Sequence, residues 1–501
     1  MEKNEIVPLK ITGLTSEGSG IARCDGKAVF VPFTAVGDEI SARILKDCKS
    51  YAYAKIESIL KPSEDRIEND CPVFGKCGGC VYRHISYDAE LRAKESAVRD
   101  AFERIGKLSP EFLPIEHGDA AERYRNKLQM PTARVDGKIA AGFFAPRSHR
   151  LIPVSDCKLQ PKIFSDITSF ITEQAALLHI SAYNEEKHDG VLRHIFLRKA
   201  ANKPNGGLCC VLVARRNVPE FRALARKISE RFPEVTGVVL NINPSKTNVI
   251  LGEKDILLCG KAEITDEMCG VSLKISPKSF YQVNTNAAEK LYKKAAEFAG
   301  NAEVILDLYC GTGAVGLSMA RNAKKLIGAE IVSEAVENAR ENALSCGITN
   351  AEFIAADAGI AAETLHKRGI SPDVILLDPP RKGCDEATLT ACAQMNPQKI
   401  VMISCNPATA ARDCKFLCES GFALEKVQPF DLFPRTQHTE CISLLVRKQA
   451  YMNEKKQNQT EIPEKPEKLT DEQIKENEEK IFEMKQELED YIEEQGIYLR
   501  Q

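Results

Sequence analysis

The sequence predicts an α+β multidomain chain: a small β-barrel, a cysteine-bearing α+β middle, a doubly wound α/β domain and a charged tail. Three observations carry that reading. Short apolar runs separated by Gly-rich turns fill residues 5–60, cysteines cluster between Cys71 and Cys80, and strand-like segments alternate with helix-like ones from about residue 276. The 501 residues exceed what a single core ordinarily holds. The expected boundaries are 1–60, 61–275, 276–449 and 450–501.

Composition sets outer limits. An apolar fraction of 43% and a charged fraction of 28% suit a globular protein with real cores. No apolar run reaches the roughly 18 residues of a membrane span, and Met1-Glu2-Lys3-Asn4-Glu5 offers no apolar leader. A cytoplasmic protein without a membrane partner is expected. The net charge of −3 conceals an asymmetry, because residues 451–501 are strongly acidic and the remainder is mildly basic. A basic body permits RNA as a partner. With no export signal, the 18 cysteines do not read as a disulfide framework. Most are expected to be small buried apolar residues.

In the first segment, Lys27–Phe33 and Glu39–Leu45 are the clearest strands, and Glu17-Gly18-Ser19-Gly20, Asp25-Gly26 and Gly37-Asp38 mark turns. Five short strands in this space suggest an OB-like barrel. Lys10, Arg23, Lys27, Arg43, Lys46, Lys49 and Lys55 give it positive charge, and Tyr51 and Tyr53 are candidate stacking platforms.

The middle segment holds Cys71, Cys77, Cys80 and Cys157, with a helix expected over 88–107. Gly78 and Gly79 let the backbone wrap closely between Cys77 and Cys80. Four thiolates suit zinc or an iron–sulfur cluster. Structural zinc more often pairs two Cys-x-x-Cys knuckles, so three clustered ligands and a distant fourth favour the cluster. A fourth cysteine also argues against radical enzymes, which leave one iron open for their cofactor. Arg123-Tyr124-Arg125-Asn126-Lys127 is either an RNA contact or the start of a strand.

Strands are expected at 303–308, 325–330, 351–355, 373–377, 399–404 and 441–446, with helices between. Asp307-Leu308-Tyr309-Cys310-Gly311-Thr312-Gly313 turns from strand to helix. Glu330, at the next strand end, can accept two ribose hydroxyls. Asp357 follows the third strand and Asp378-Pro379-Pro380 the fourth. Asp307 would repel a dinucleotide pyrophosphate but suit the ammonium group of S-adenosylmethionine. Cys405 ends the strand Lys399–Ser404, where it would face the ligand crevice. A thiolate there could add to carbon 6 of a uracil and make carbon 5 nucleophilic. A base must then remove the carbon-5 proton, and Glu440 precedes the last expected strand.

Taken together, Ser404-Cys405-Asn406-Pro407, Asp378-Pro379-Pro380-Arg381-Lys382-Gly383, His438-Thr439-Glu440, Asp307-Leu308-Tyr309-Cys310-Gly311 and Ser279-Phe280-Tyr281-Gln282-Val283-Asn284 resemble the RNA (uracil-5-)-methyltransferases. The resemblance covers roughly residues 5–449. It implies Cys405 as nucleophile, Glu440 as base and contacts to S-adenosylmethionine from Gln282, Tyr309, Glu330, Asp357 and Asp378. Beside these, the residues themselves suggest Asp307, Gly311 and Gly313. Ala314 stands where some members carry a polar residue, so that contact is not carried over. Residues 5–60 resemble the TRAM barrel of the ribosomal branch, and Cys71, Cys77, Cys80 and Cys157 fit that branch's 4Fe-4S ligands. The fold implied is a TRAM barrel, a central iron–sulfur domain and a Rossmann-like class I methyltransferase domain. A uridine of 23S ribosomal RNA is the expected substrate, with transfer RNA as the alternative.

Two other classes fit less well. An amino-group methyltransferase could use Asp378-Pro379-Pro380, but Arg381 stands where an aromatic is usual and no cysteine would be needed. A noncatalytic RNA-binding protein would leave Cys405 and Glu440 unexplained. In the tail, Pro463 and Pro466 punctuate a polar linker, and Ile474, Ile481 and Leu488 recur at heptad spacing. An amphipathic helix able to bind a protein partner is expected there.

Overall fold

The structure, a computed structural model, describes residues 1–448. The linker and helix expected over 450–501 lie outside the described residues. Residues 6–61 form a 6-stranded sheet, one strand more than expected because Gly13–Leu14 pairs with Gly20–Ile21. Strict alternation drives it: in Glu39–Asp47 every second residue from Ile40 to Ile44 is buried. Val7, Leu9, Val29, Val31, Ile40, Ala42 and Ile44 fill the interior. Register shifts between Glu39–Asp47 and Tyr51–Lys61 bend this long pair.

The helix expected over 88–107 is present as Tyr87–Asp100, continued by a π-helical turn Ala101–Gly106. Ser86 caps it by accepting from the Ala89 N–H at 3.2 Å. A 7-stranded sheet follows, running 151–153, 138–144, 127–135, 192–199, 208–214, 235–242 and 254–260. Its strand Leu208–Ala214 is buried throughout, between neighbours on both sides. Helices Lys162–Leu177 and Glu220–Arg231 close the core through Phe164, Ile167, Ile171, Leu224 and Ile228. A hairpin, Ile264–Met268 with Val271–Ile275, leads into the last sheet.

That sheet is 9-stranded. Strands 351–355, 325–330, 304–308, 374–377 and 399–404 are parallel neighbours in this order. Strand Glu440–Arg447 then runs antiparallel to Lys399–Ser404, and Phe422–Asp431 runs antiparallel to it in turn. Phe422–Asp431 was not expected, because Glu425, Lys426 and Pro429 obscure its pattern. Short strands Glu111–Phe112 and Glu116–His117 add to its outer edge, so residues that follow the cysteine-bearing segment complete the C-terminal sheet. Leu306, Leu308, Ile327, Ile375, Leu377, Ile400 and Met402 form the core on one face. Among the described residues no helix is long and apolar enough to cross a membrane.

Candidate active site

Parallel register collects chemistry at the carboxyl ends of these strands. Leu308 pairs with both Ala329 and Leu377, so Tyr309, Glu330 and Asp378 emerge side by side. Ser404 pairs with Cys441, so one position beyond the pair Cys405 and Glu440 stand opposite each other. A cavity of about 790 Å3 opens there. Gln282, Tyr309, Gly311, Glu330, Asp357, Asp378, Cys405 and Glu440 all line it.

Two expected residues do not. The Asp307 carboxylate is buried and turned into the loop, where Oδ2 accepts from the Gly316 N–H at 3.0 Å. A Cβ at Gly316 would lie 2.6 Å from that oxygen, so the glycine is required by the carboxylate. Asp307 therefore fixes the turn rather than facing a ligand, and burial pushes its carboxyl up to about 7. Gly313, at φ +81°, caps the short helix Ala314–Met319 from outside the cavity wall. Glu330 works on both fronts: it lines the cavity while Oε2 accepts from Gly311 N–H at 3.1 Å and Oε1 from Val332 N–H at 2.9 Å. Asp357 caps helix Ala358–Lys367 through the Gly359 N–H at 3.0 Å.

Around Cys405 and Glu440 neighbouring carboxyls raise the pKa and Arg381 opposes them. Burial, then Asp378, pushes the Glu440 carboxyl up to about 8, and burial alone takes Asp378 to about 7. Burial, then Glu440 and Asp378, pushes the Cys405 thiol up to about 11. The Arg381 guanidinium opposes the shift at both Cys405 and Glu440. Its Nη2 donates to His438 Nε2 at 3.3 Å, and burial with Arg381 holds that imidazole neutral by lowering its pKa to about 4. The Arg381 carbonyl accepts from Asn406 Nδ2 at 3.1 Å, which ties the arginine to the cysteine loop.

Several lining groups were not assigned to this cavity from the sequence. Phe280, 70% exposed, and Phe433 line the cavity, as do Arg125, Lys127 and Gln129, which alternate along one chain segment. Arg123, by contrast, is structural: it pairs with Asp156 at 2.7 Å and donates to the carbonyls of Cys157 and Gln160. A second cavity of about 500 Å3 reaches Cys405 and His438 from the other side, between Leu14–Glu17 of the barrel and the π-helical turn. In the barrel, Tyr51 and Tyr53 are exposed and packed edge to face at 5.5 Å, whereas Lys27 and Arg43 are neutralised by Asp47 and Glu57.

The four cysteines of the middle segment are gathered, half-buried and free of disulfides. Burial and then the thiols of Cys157, Cys77 and Cys71 push Cys80 up to about 12. Backbone bonds from Phe74 N–H to the Cys71 carbonyl and from Cys77 N–H to the Val73 carbonyl shape the loop. Gly78, at φ +70°, leaves no room for a Cβ, which would lie 2.7 Å from Pro146. Among the described residues no group of three or more His, Cys, Asp or Glu is placed so that it could hold a metal ion.

The chain is similar to known proteins over most of its length. Residues 206–448 match the family described as tRNA (Uracil-5-)-methyltransferase, and residues 2–56 match the TRAM domain. An uncharacterized RNA methyltransferase of Halalkalibacterium halodurans is 40% identical over 449 residues, covering 89% of this chain and 98% of that protein. Another from Clostridium tetani is 40% identical over 448 residues, covering 89% of this chain and 97% of that protein. The crystal structure of Pyrococcus abyssi tRNA (uracil-54, C5)-methyltransferase with S-adenosyl-L-homocysteine superposes with a TM-score of 0.70 at 25% identity. It covers 88% of this chain and 100% of that one. With a cavity at the carboxyl ends of a parallel sheet, a TRAM domain at its N-terminus and relatives matched over nearly their whole length, the chain belongs to the S-adenosylmethionine-dependent RNA (uracil-5-)-methyltransferase family.

Proposed function

We propose that this cytoplasmic enzyme methylates carbon 5 of a uridine in 23S ribosomal RNA, with Cys405 as nucleophile and Glu440 as base. The observation that carries the reading is the register of Ser404 with Cys441, which sets the thiol and the carboxyl opposite each other on one cavity wall. The Cys405 thiolate adds to carbon 6 of the extruded uracil, and the ring electrons move to carbon 5. S-adenosylmethionine, when bound, supplies an electrophilic methyl group. Glu440 then takes the carbon-5 proton, the carbon 5–carbon 6 double bond re-forms, and the sulfur leaves with its electron pair. Gln282, Tyr309, Gly311, Glu330, Asp357 and Asp378 hold the methyl donor; Asp307 and Gly313 act on the loop. The second cavity gives RNA bound at the barrel a path to Cys405.

Arg381 favours the thiolate. Removing its charge raises the Cys405 pKa further, so the thiolate fraction falls at every pH below that pKa. Arg381→Leu is expected to slow adduct formation about tenfold near neutrality and to move the rising limb of the pH–rate profile up by about one unit. An unchanged profile would remove Arg381 from the nucleophile's activation.

Cys71, Cys77, Cys80 and Cys157 are proposed to hold a 4Fe-4S cluster. The reading rests on donor chemistry: four free thiols, three of which act on the fourth, Cys80, and a glycine in the loop between Cys77 and Cys80. Anaerobically purified protein is expected to contain about four irons per chain, and Cys77→Ser to lose them and lower the Tm. Stoichiometric zinc without iron would contradict the assignment.

A second target reading has its own support, since the Pyrococcus abyssi protein acts on transfer RNA by its name. Mapping 5-methyluridine in ribosomal and transfer RNA with and without the gene decides between them. Loss from 23S RNA supports the first reading, loss from transfer RNA alone the second, and loss from neither overturns both.

A further inference from the structure

The loop that delivers Glu440 to the cavity is held from behind by charged groups that line neither cavity. Lys94, on helix Tyr87–Asp100, is 1% exposed. Its Nζ lies 2.7 Å from Glu90 Oε1 and 2.8 Å from Asp431 Oδ1, and it donates to the Phe433 carbonyl at 3.2 Å. The Tyr87 hydroxyl donates to Asp431 Oδ2 at 2.9 Å. Glu90 Oε1 also accepts from the Arg435 N–H at 2.6 Å, and its Oε2 faces the Arg435 guanidinium at 3.6 Å.

Further bonds hold the backbone of residues 433–435. Asp431 Oδ1 accepts from the Phe433 N–H at 3.1 Å, and the Pro434 carbonyl accepts from the Tyr124 hydroxyl at 3.0 Å. The Arg435 carbonyl accepts from the Val81 N–H at 2.8 Å, one residue past Cys80. Arg435 itself sits at φ +70°, a conformation that a non-glycine residue keeps only when its surroundings over-determine it. Burying two carboxylates with two cations is a poor route to stability, because desolvation opposes the attraction. What such a cluster does well is fix position, and what it fixes here is the segment running to His438 and Glu440.

We propose that Lys94, Glu90, Asp431 and Tyr87 are positioning residues for proton abstraction: they set the 432–439 loop, hold Glu440 at carbon 5 of the adduct and tie the base to the four-cysteine segment through Val81. This rests on Glu440 being the base. Weakening the network should let the base drift while leaving Cys405, which sits on a different strand, able to add.

The test separates two rates in the intact holoenzyme, using labelled methyl donor and an unmodified ribosomal or transfer RNA transcript that accepts label. One rate is formation of an adduct that survives denaturation; the other is release of methylated RNA. Lys94→Met is expected to slow release about tenfold or more while adduct formation changes less than about threefold, and Tyr87→Phe to show the same split at smaller size. Lys94→Arg, which keeps the charge, should recover part of the release rate. Should Lys94→Met fail to fold, Tyr87→Phe decides alone, since it leaves the charges balanced. Equal loss of both rates, or no change in release, overturns the proposal. Glu440→Gln run alongside tells the two readings apart: if it traps adduct and the network variants do not, only the positioning role falls. If it releases product normally, the base assignment falls first.

Discussion

Cys405→Ala is expected to yield neither a covalent RNA adduct nor methylated product, a loss of at least about 10⁴-fold in turnover. Carbon 5 of uracil does not displace a methyl group from a sulfonium unaided; it needs the electrons that sulfur addition at carbon 6 sends into the ring. Alanine removes the sulfur and nothing else of consequence. The loop around it is held by other atoms: Ser404 Oγ accepts from the Asn406 N–H at 3.2 Å, and Asn406 Oδ1 caps the following helix through the Ala408 N–H at 3.1 Å. The variant should therefore fold, bind methyl donor and remain inert. Retained turnover would rule out covalent catalysis by this residue.

Glu440→Gln is expected to fail later in the cycle. The amide is isosteric and leaves Cys405 in place, so addition and methyl transfer proceed while the carbon-5 proton stays on. General-base catalysis contributes about 10²–10⁴-fold, and turnover should fall by that order as methylated adduct accumulates. The variant should also be no less stable near neutrality. The wild-type carboxyl is raised from 4.5 to about 8, so its protonated form is the one the fold favours. Its contribution is complete below the unfolded-state pKa and is lost as pH rises through about 8. Glutamine does not titrate, so the decline in Tm between about pH 5 and 8 should be shallower in the variant. If Glu440→Gln turns over normally without adduct, another group is the base, and His438, neutral and on the same wall, is the next to replace.

Much of this was legible from residues alone, for a physical reason. Strand ends in parallel sheets face a crevice, so a cysteine or carboxylate at such an end can be assigned to it without coordinates; Cys405, Glu330 and Asp378 were found that way. The same rule misplaced Asp307, because it cannot tell a carboxylate that faces the cavity from one that turns back onto a backbone N–H. Glu90 and Lys94 show the opposite failure. Nothing local marks this pair as buried, because Asp431, which shares Lys94 with Glu90, is more than three hundred residues away in the chain. Phe422–Asp431 escaped because its charges and Pro429 break the alternation that marks a strand. Within Arg123–Lys127 the residues divide: Arg123 braces the Cys157 turn, while Arg125 and Lys127 line the cavity.

The most direct measurement of the central claim is mass spectrometry of the adduct trapped by Glu440→Gln after nuclease and protease digestion. The mechanism requires a single peptide containing Cys405, joined through sulfur to a uridine nucleotide that carries one added methyl group. A linkage at any other residue, an unmethylated nucleotide, or no linked peptide alongside normal methyl transfer would contradict it.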